Sequence, residues 1–378
     1  MSAAIVPAGK QVALLLQGGG ALGSYQAGVY AALAEAGYAP DWVAGISIGA
    51  INAALIAGNA PTDRVDRLRA FWEGVTAPGL PIFGFAAPGY AGLGHAALER
   101  GAAVAGALTV GRPGFFARWD PISWMLAGFP PSHYHTDPLR QTLERLVDFD
   151  RIAAGPTRLS VGAVHVASGE MRYFDSRETR IGPAHVLASS ALPPGFAAAE
   201  IEGEAYWDGG LVSNTPLQYV LSCYPRRSLL AFQVDVFAAA GVVPRDADGV
   251  EERMKEIRFA SRTRLGTETF ATMHEIRHRL DRLLAQLPEA LRATPEARYL
   301  SEIACVTTMD IVQLTARPEA PEGAAKDYEF SRTSMEARWA RGQADARAIL
   351  DAAPWREAAG PEVGVRVFAD AARAAVAG

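Results

Sequence analysis

A serine stands between two glycines at residues 45–49, whose sequence is Gly-Ile-Ser-Ile-Gly. Residues 41–44 before it have the character of a short strand, and the small residues after it have that of a helix. A sharp strand-to-helix turn of this kind is typical of a nucleophile elbow, which lifts the serine hydroxyl out of the sheet. A Cβ at Gly45 or Gly49 would collide with neighbouring backbone. The sequence therefore predicts Ser47 as a nucleophile.

Strands and helices alternate along the first part of the chain. Residues 11–17 form a continuous apolar run typical of a buried parallel strand, and residues 24–37 carry apolar side chains at helical spacing. Short alternation of this kind predicts an α/β fold in which helices cover a mainly parallel sheet. Further strands are predicted at residues 159–166, 170–174, 198–207 and 229–236, and further helices at residues 62–73, 137–147 and 183–190.

The composition changes near residues 237–248, where glycine, proline and aspartate cluster. We therefore predict a first domain at residues 1–240 and a mostly helical C-terminal extension at residues 241–378 that contributes at least one further strand. Within this extension the predicted elements are helices at residues 251–287, 331–353 and 362–376 and a strand at residues 302–314.

Residues 78–131 interrupt the alternation with a sequence rich in glycine, alanine, proline and aromatic side chains. A long loop of this composition is typical of a lid or a binding wall, because disordered segments avoid aromatic residues. An irregular flap packed onto the core is the alternative. As a binding wall, the segment would line an acyl pocket or meet a lipid surface.

The overall composition excludes several classes of protein. A formal net charge of −5 argues against a dedicated nucleic-acid binder, since such proteins are usually basic. The two cysteines, Cys223 and Cys305, make neither a disulfide framework nor a metal cluster. Residues 1–10 lack the pattern of a secretory signal, and the apolar run at residues 12–16 is too short to span a membrane. We expect a cytoplasmic protein that binds no nucleic acid and holds no metal.

Three consecutive glycines, Gly18 to Gly20, follow the first predicted strand and precede a helix. Amides near a helix N-terminus favour negative charge, so this loop is suited to bind an oxyanion. The stretch also fits the dinucleotide pattern Gly-x-Gly-x-x-Gly through Gly23. That pattern requires an acidic residue at the end of the second strand, whereas Asp41 begins that strand. The oxyanion interpretation is therefore favoured.

A serine nucleophile also needs a base. A histidine base usually lies on a loop after a late strand, and none of the seven histidines has that position. His274 and His278, four residues apart, are expected on the solvated face of a charged helix. Asp208 stands at a strand end before two glycines, where its carboxylate can approach a serine directly. An aspartate that only satisfies its own turn backbone is the equal alternative.

Four blocks of sequence together resemble the patatin-like phospholipases over residues 11–235. They are GGGALG at residues 18–23, GISIG at residues 45–49, ASSALPPGF at residues 188–196 and DGG at residues 208–210.

The resemblance implies a three-layer α/β sandwich and hydrolysis of lipid acyl esters without metal or cofactor. It also implies a Ser-Asp dyad that works without histidine. Carried onto this sequence, it makes Ser47 the nucleophile and Asp208 the base. It places the oxyanion hole in the loop of Gly18, with Gly19 and Gly20 supplying the amides.

Two further features bear on this resemblance: a departure from the family pattern at Leu22 and a C-terminal extension. Leu22 occupies a position where the family often has arginine or lysine, so stabilisation of the oxyanion would fall to backbone amides alone. Residues 326–332 (KDYEFSR) resemble an extension seen on some bacterial patatin-like proteins. This extension is expected to cap the site, to join two copies into a homodimer, or to bind a partner.

The sequence as a whole favours a serine acyl hydrolase of the phospholipase A or lysophospholipase type, which forms an acyl-enzyme and touches membrane surfaces transiently. A histidine-dependent esterase and a storage-polyester hydrolase are alternatives. A non-catalytic protein that binds a nucleotide or a lipid is a third.

Overall fold

The computed structural model describes residues 6–76, 95–318 and 321–369. These residues form a nine-stranded main sheet and a separate three-stranded sheet. The strands are β1 (Gln11–Leu16), β2 (Trp42–Ile46), β3 (Gly111–Arg112), β4 (Phe116–Arg118), β5 (Tyr134–His135), β6 (Arg158–His165), β7 (Met171–Asp175), β8 (Ala199–Ile201), β9 (Glu204–Asp208), β10 (Leu229–Asp235), β11 (Met309–Thr315) and β12 (Val365–Ala369).

Helices surround the main sheet, and among those described none combines the length and apolar character needed to cross a membrane. The helices are α1 (Gly23–Glu35), α2 (Ile48–Ala57), α3 (Arg64–Val75), α4 (His95–Thr109), α5 (Pro121–Leu126), α6 (Asp137–Leu146), α7 (Phe149–Ala154), α8 (Pro183–Ser189), α9 (Leu217–Ser222), α10 (Ala247–Ala285), α11 (Glu289–Arg292), α12 (Pro295–Ile303) and α13 (Arg332–Ala352).

The main sheet is mixed but mostly parallel. Its strand order is β12-β11-β10-β1-β2-β6-β9-β8, and β7 also pairs with β6. Pairing is parallel from β12 through β6 and antiparallel where β6 meets β7 and β9 and where β9 meets β8. The loops that follow β1, β2 and β10 therefore lie at one edge of the sheet, where ligands of open parallel sheets bind.

Both faces of the sheet are covered by helices. Alternate side chains of β1 enter two separate cores, because successive residues of a strand point to opposite faces. Leu14 packs in a core with α1, α2, α3 and α13, whereas Leu15 packs in a second core with α9 and α10. The predicted three-layer α/β architecture is confirmed.

The C-terminal part of the chain is built into the same sheet. Strands β11 and β12 extend it beyond β10, and a Cβ placed at Gly28 of α1 would lie 2.0 Å from the Trp339 carbonyl oxygen of α13. The backbones of these two helices are thus almost in contact. The predicted domain boundary at residue 240 stays a prediction, and the sheet continues across it.

Two sequence-based assignments in this region are wrong in part. The strand expected at residues 302–314 begins only at Met309, because α12 extends to Ile303. The helix expected at residues 362–376 is replaced by β12, whose alternating Val-Arg-Val pairs with the open edge of β11. Arg366 of β12 also donates to Asp310 Oδ1 of β11 at 2.7 Å. Residues 370–378 of that expected helix lie outside the described part.

The histidines of α10 are not solvated as predicted. His274 and His278 are buried, and their Nε2 atoms lie 2.9 Å and 3.0 Å from the carbonyl oxygens of Thr307 and Pro361. The segments that precede β11 and β12 cover this face of α10. This burial could not be predicted from the charged sequence of α10, because the residues that cover the two histidines lie far away in the chain.

The prediction of an irregular loop at residues 78–131 is wrong from residue 95 onward. Residues 77–94 lie outside the described part. Helices α4 and α5 and the antiparallel sheet β3-β4-β5 account for most of the rest. The alanine-rich sequence of α4 has high helix propensity, which the glycine, proline and aromatic content of the whole stretch obscured.

Candidate active site

Ser47 occupies a strained turn between β2 and α2. Its backbone has φ 55° and ψ −124°, a combination that usually costs a non-glycine residue about 1–3 kcal/mol. The turn is tight: a Cβ at Gly45 would lie 2.1 Å from the Gly49 carbonyl oxygen, and one at Gly49 would lie 2.3 Å from that of Leu16. Strain held in this way is typical of a nucleophile elbow. The turn also places the half-buried Ser47 at the N-terminus of α2, where the helix dipole is positive.

Two serines at the C-terminal end of α8, Ser189 and Ser190, hold the elbow from the side. Ser189 Oγ accepts from the Ser47 amide at 3.0 Å and donates to the Gly162 carbonyl oxygen at 2.6 Å. Ser190 Oγ lies 3.3 Å from the Ser47 carbonyl oxygen. The sequence marked this segment by its resemblance to a family block but assigned it no role. Its role in the structure is to fix the Ser47 backbone to β6.

Strand β6 brings Asp208 to Ser47. Ile46 of β2 lies opposite Gly162, and Asp208 of β9 lies opposite the next residue, Ala163. Ser47 and Asp208 line the same cavity, and the Ser47 hydroxyl lies close enough to the Asp208 carboxylate to lower its pKa. The structure therefore brings together the two side chains that the sequence singled out.

The environment of Asp208 suits a proton acceptor. The residue is 2% exposed, and the Gly210 amide donates to its Oδ1 at 2.7 Å. Burial raises the pKa of Asp208 to about 6, while the hydrogen bonds from Ser47 and Gly210 act in the opposite direction. A base is most effective when its pKa lies near the working pH, and this value satisfies that condition near neutrality.

The glycine loop after β1 borders the same space. Gly18 is fixed by Asn214, whose carbonyl oxygen accepts from the Gly18 amide at 3.1 Å and whose Nδ2 donates to the Gly18 carbonyl at 2.9 Å. Within the described ranges the amides of Gly19 and Gly20 donate no hydrogen bond. These two are the candidate oxyanion donors, and Gly18 contributes its position. No role was predicted from the sequence for Asn214, although it lies six residues after Asp208.

An apolar cavity of about 170 Å³ lies beside Ser47, Asp208 and the glycine loop. Its rings pack edge to face, with 5.4 Å between the centroids of Phe116 and Phe196. Such a space suits an aliphatic chain better than a polar group. Aromatic side chains from several parts of the chain line it: Phe115, Phe116, Tyr134, Phe196, Phe237, Phe259, Tyr328 and Phe330.

Histidine is absent from the described residues that line this cavity. His185 Nδ1 accepts from the Gly182 amide, and His165 lies between Ser168 and Glu204. In residues 6–76, 95–318 and 321–369, no group of three or more His, Cys, Asp and Glu side chains is arranged to hold a metal ion.

The position of Leu22 is buried beneath the glycine loop, at 3% exposure. It therefore supplies no charge to the oxyanion donors. The C-terminal region does reach the site, because Asp327, Tyr328 and Phe330 line the cavity that Ser47 borders. The sequence left open whether this segment caps the site, and the structure places it there.

The family model described as patatin-like phospholipase matches residues 14–221, and one described as patatin phospholipase matches residues 257–362. The first covers more than half of the chain. Among solved structures, the crystal structure of VipD from Legionella pneumophila is similar, with 15% sequence identity and a TM-score of 0.37 over 92% of this chain and 67% of that chain. No match was found among curated proteins.

Proposed function

Because this chain belongs to the patatin-like phospholipase family, we propose that it hydrolyses lipid acyl esters with Ser47 as nucleophile and Asp208 as base. Family membership supports lipid acyl hydrolysis in general. The observation that carries the proposal is the placement of Ser47 and the buried Asp208 on one cavity, close enough for the hydroxyl to lower the pKa of the carboxyl. A serine and a base in contact are the essential parts of covalent ester hydrolysis.

The reaction proceeds in two halves. Ser47 Oγ attacks the ester carbonyl while Asp208 accepts the hydroxyl proton, and the oxyanion that forms faces the amides of Gly19 and Gly20. Collapse expels the alcohol, which takes the proton from Asp208 and leaves the acyl chain on Ser47. Water then attacks the acyl-enzyme with Asp208 again as base. The second collapse releases the fatty acid and returns the proton to Ser47.

The apolar cavity is the binding site for the acyl chain in this proposal. A phospholipase A or lysophospholipase-type activity places the chain among the aromatic walls and leaves the headgroup outside. Among the described lining residues the only charged side chains are Asp208 and Asp327, and none carries a positive charge. That composition favours a second candidate, hydrolysis of an uncharged ester such as a storage polyester.

The segment between β4 and β5, which contains α5, is the part of the chain that we propose contacts a lipid surface. These strands carry Phe116 and Tyr134 of the cavity wall, and α5 between them has no buried residue. Its apolar side chains Ile122 and Leu126 are 66% and 78% exposed. Leu108 of α4, 47% exposed, lines the cavity, so an exposed apolar side chain also lies at the acyl site.

The experiment that tests this function compares esters that share one acyl chain: a diacyl phospholipid, a lysophospholipid and a neutral monoacylglycerol. Fatty acid release, identified by mass spectrometry and absent from Ser47→Ala, supports the proposal. Release from the phospholipids identifies the phospholipase type, and release from the neutral ester alone favours the second candidate. No release from any ester contradicts the hydrolase.

A further inference from the structure

The oxyanion loop is held from two sides, and one of them belongs to the C-terminal region. Asn214 holds Gly18, and the Asp327 carbonyl oxygen accepts from the Ala21 amide at 2.9 Å. Gly20 between them has φ +56°, and a Cβ there would lie 2.3 Å from the same Asp327 oxygen. The two candidate donor amides, of Gly19 and Gly20, thus lie between the contact with Asn214 and the contact with the C-terminal residue Asp327.

Resting on the hydrolase function proposed above, we propose that residues 322–331 position the oxyanion loop, with Lys326 and Arg338 as positioning residues. The active site is then complete only when α10 and α13 hold this segment against the loop.

Arg338 of α13 connects the loop to the segment. The residue is 8% exposed, and its Nη1 donates to the Glu329 carbonyl at 3.1 Å and to the Ala21 carbonyl at 3.4 Å. Its Nη2 donates to the Lys326 carbonyl at 3.3 Å, and its Nε to Glu322 at 3.0 Å. A planar guanidinium fork holds several acceptors in one fixed arrangement, which a lysine cannot do.

Helix α10 holds the segment through a buried charge cluster. Lys326, 2% exposed, donates to Glu256 at 2.6 Å and to Glu252 at 3.0 Å. In the reverse direction, Lys255 of α10 donates to Asp327 Oδ1 at 2.6 Å and to the Ala324 carbonyl at 2.7 Å.

Such pairs add little net stability over well-packed apolar side chains, so stability alone gives weak reason for them. Their directional hydrogen bonds instead set where the segment lies. The Asp327 carbonyl that meets the glycine loop lies directly beside this cluster, and a misplacement of about 1 Å at such a site can cost about 100-fold in rate.

The test replaces the cluster without leaving a lone charge. In Lys326→Met with Glu252→Gln, Glu256 keeps its ion pair with Arg253 at 3.0 Å. We expect kcat for a short-chain p-nitrophenyl ester to fall about 10- to 100-fold while KM changes less than about twofold, because the oxyanion donors act in the transition state.

The matched control is Lys10→Met, which leaves no lone charge because Asp310 keeps its ion pair with Arg366 at 2.7 Å. The Lys10–Asp310 pair is also largely buried, with 10% and 1% side-chain exposure, but it lies where β1 begins, at the opposite edge of the sheet. It should leave kcat within about twofold of the wild type. Equal losses of kcat in the double variant and in its control, or a loss that only follows the unfolded fraction, would overturn the positioning role.

A second variant keeps the test decisive if the first is unstable. Arg338→Lys retains the charge but loses the fork, and we expect kcat to fall about tenfold with KM preserved. A wild-type kcat in Arg338→Lys or in the folded cluster variant overturns the inference while the hydrolase stands. A wild-type protein that neither hydrolyses the ester nor reacts with a fluorophosphonate overturns both proposals.

Discussion

The Ser47 hydroxyl lies beside the Asp208 carboxylate in one cavity and lowers its pKa, although β2, which ends just before Ser47, does not pair with β9, which ends at Asp208. Strand β6 lies between β2 and β9, and its neighbouring residues Gly162 and Ala163 stand opposite Ile46 and Asp208. The register of one strand therefore creates the contact on which the proposed chemistry depends.

The first prediction concerns the pH dependence of activity. Asp208 must be ionised to accept a proton, and burial raises its pKa to about 6. We expect kcat/KM to rise with pH through a midpoint near 6 and to level off above it. Asp208→Asn should lose about 10²–10⁴ in kcat/KM and should lack this midpoint. A wild-type profile that is flat between pH 5 and 8 would argue against Asp208 as the base.

The second prediction concerns stability. A carboxyl whose pKa is raised on folding stabilises the protein below its unfolded pKa, and this contribution is lost as pH rises through the folded value. For Asp208 the window runs from about 4 to about 6. Asp208→Asn should therefore raise the free energy of unfolding at pH 8 by up to about 3 kcal/mol in urea denaturation. The control is Asp150→Asn at an exposed position, which should leave the free energy of unfolding at pH 8 unchanged. Equal effects of Asp208→Asn and Asp150→Asn would contradict a raised pKa at Asp208.

The third prediction tests the oxyanion loop. A Cβ at Gly19 would lie 2.4 Å from Val236 Cγ2, so Gly19→Ala must displace the loop. Loss of one oxyanion donor typically costs about 10²–10³ in kcat, and we expect a loss of that size here. Gly101→Ala on α4, where a Cβ meets nothing within 4 Å, is the control. Unchanged turnover of folded Gly19→Ala would exclude this loop as the oxyanion hole.

The fourth prediction concerns the lipid surface. Ile122→Asp with Leu126→Asp places two charges on the exposed helix α5. Burying a charge in an apolar environment is unfavourable, so binding to phosphatidylcholine vesicles should fall in a cosedimentation assay. Hydrolysis of a soluble short-chain ester should stay within about twofold, since the substitutions leave the acyl site intact. Vesicle binding equal to that of the wild type would exclude α5 as the contact.

Local steric patterns made much of the site predictable from sequence. Glycines on both sides of Ser47 and the glycine run after β1 mark turns that few other residues permit. The residue pattern alone did not decide whether Asp208 is a base or only a turn residue, because its proximity to Ser47 depends on the pairing of β6 with two other strands. Only the resemblance to a family favoured one alternative.

Long-range contacts explain what the sequence could not predict. His274 is buried only because a distant segment covers α10, and β12 is a strand only because β11 offers an open edge. The contact of Asp327 with the glycine loop likewise joins residues far apart in the chain. Tertiary packing overrides local propensity at each of these places. The homodimer and the cytoplasmic location expected from the sequence stay predictions.

The most direct test of the account is the rate at which a fluorophosphonate labels Ser47 as a function of pH, with the modified residue located by peptide mass spectrometry. We predict a single adduct on Ser47, a rate that rises through a midpoint near pH 6, and loss of that rate in Asp208→Asn. An adduct on another residue, or Asp208→Asn labelled as fast as the wild type, would contradict the Ser-Asp mechanism.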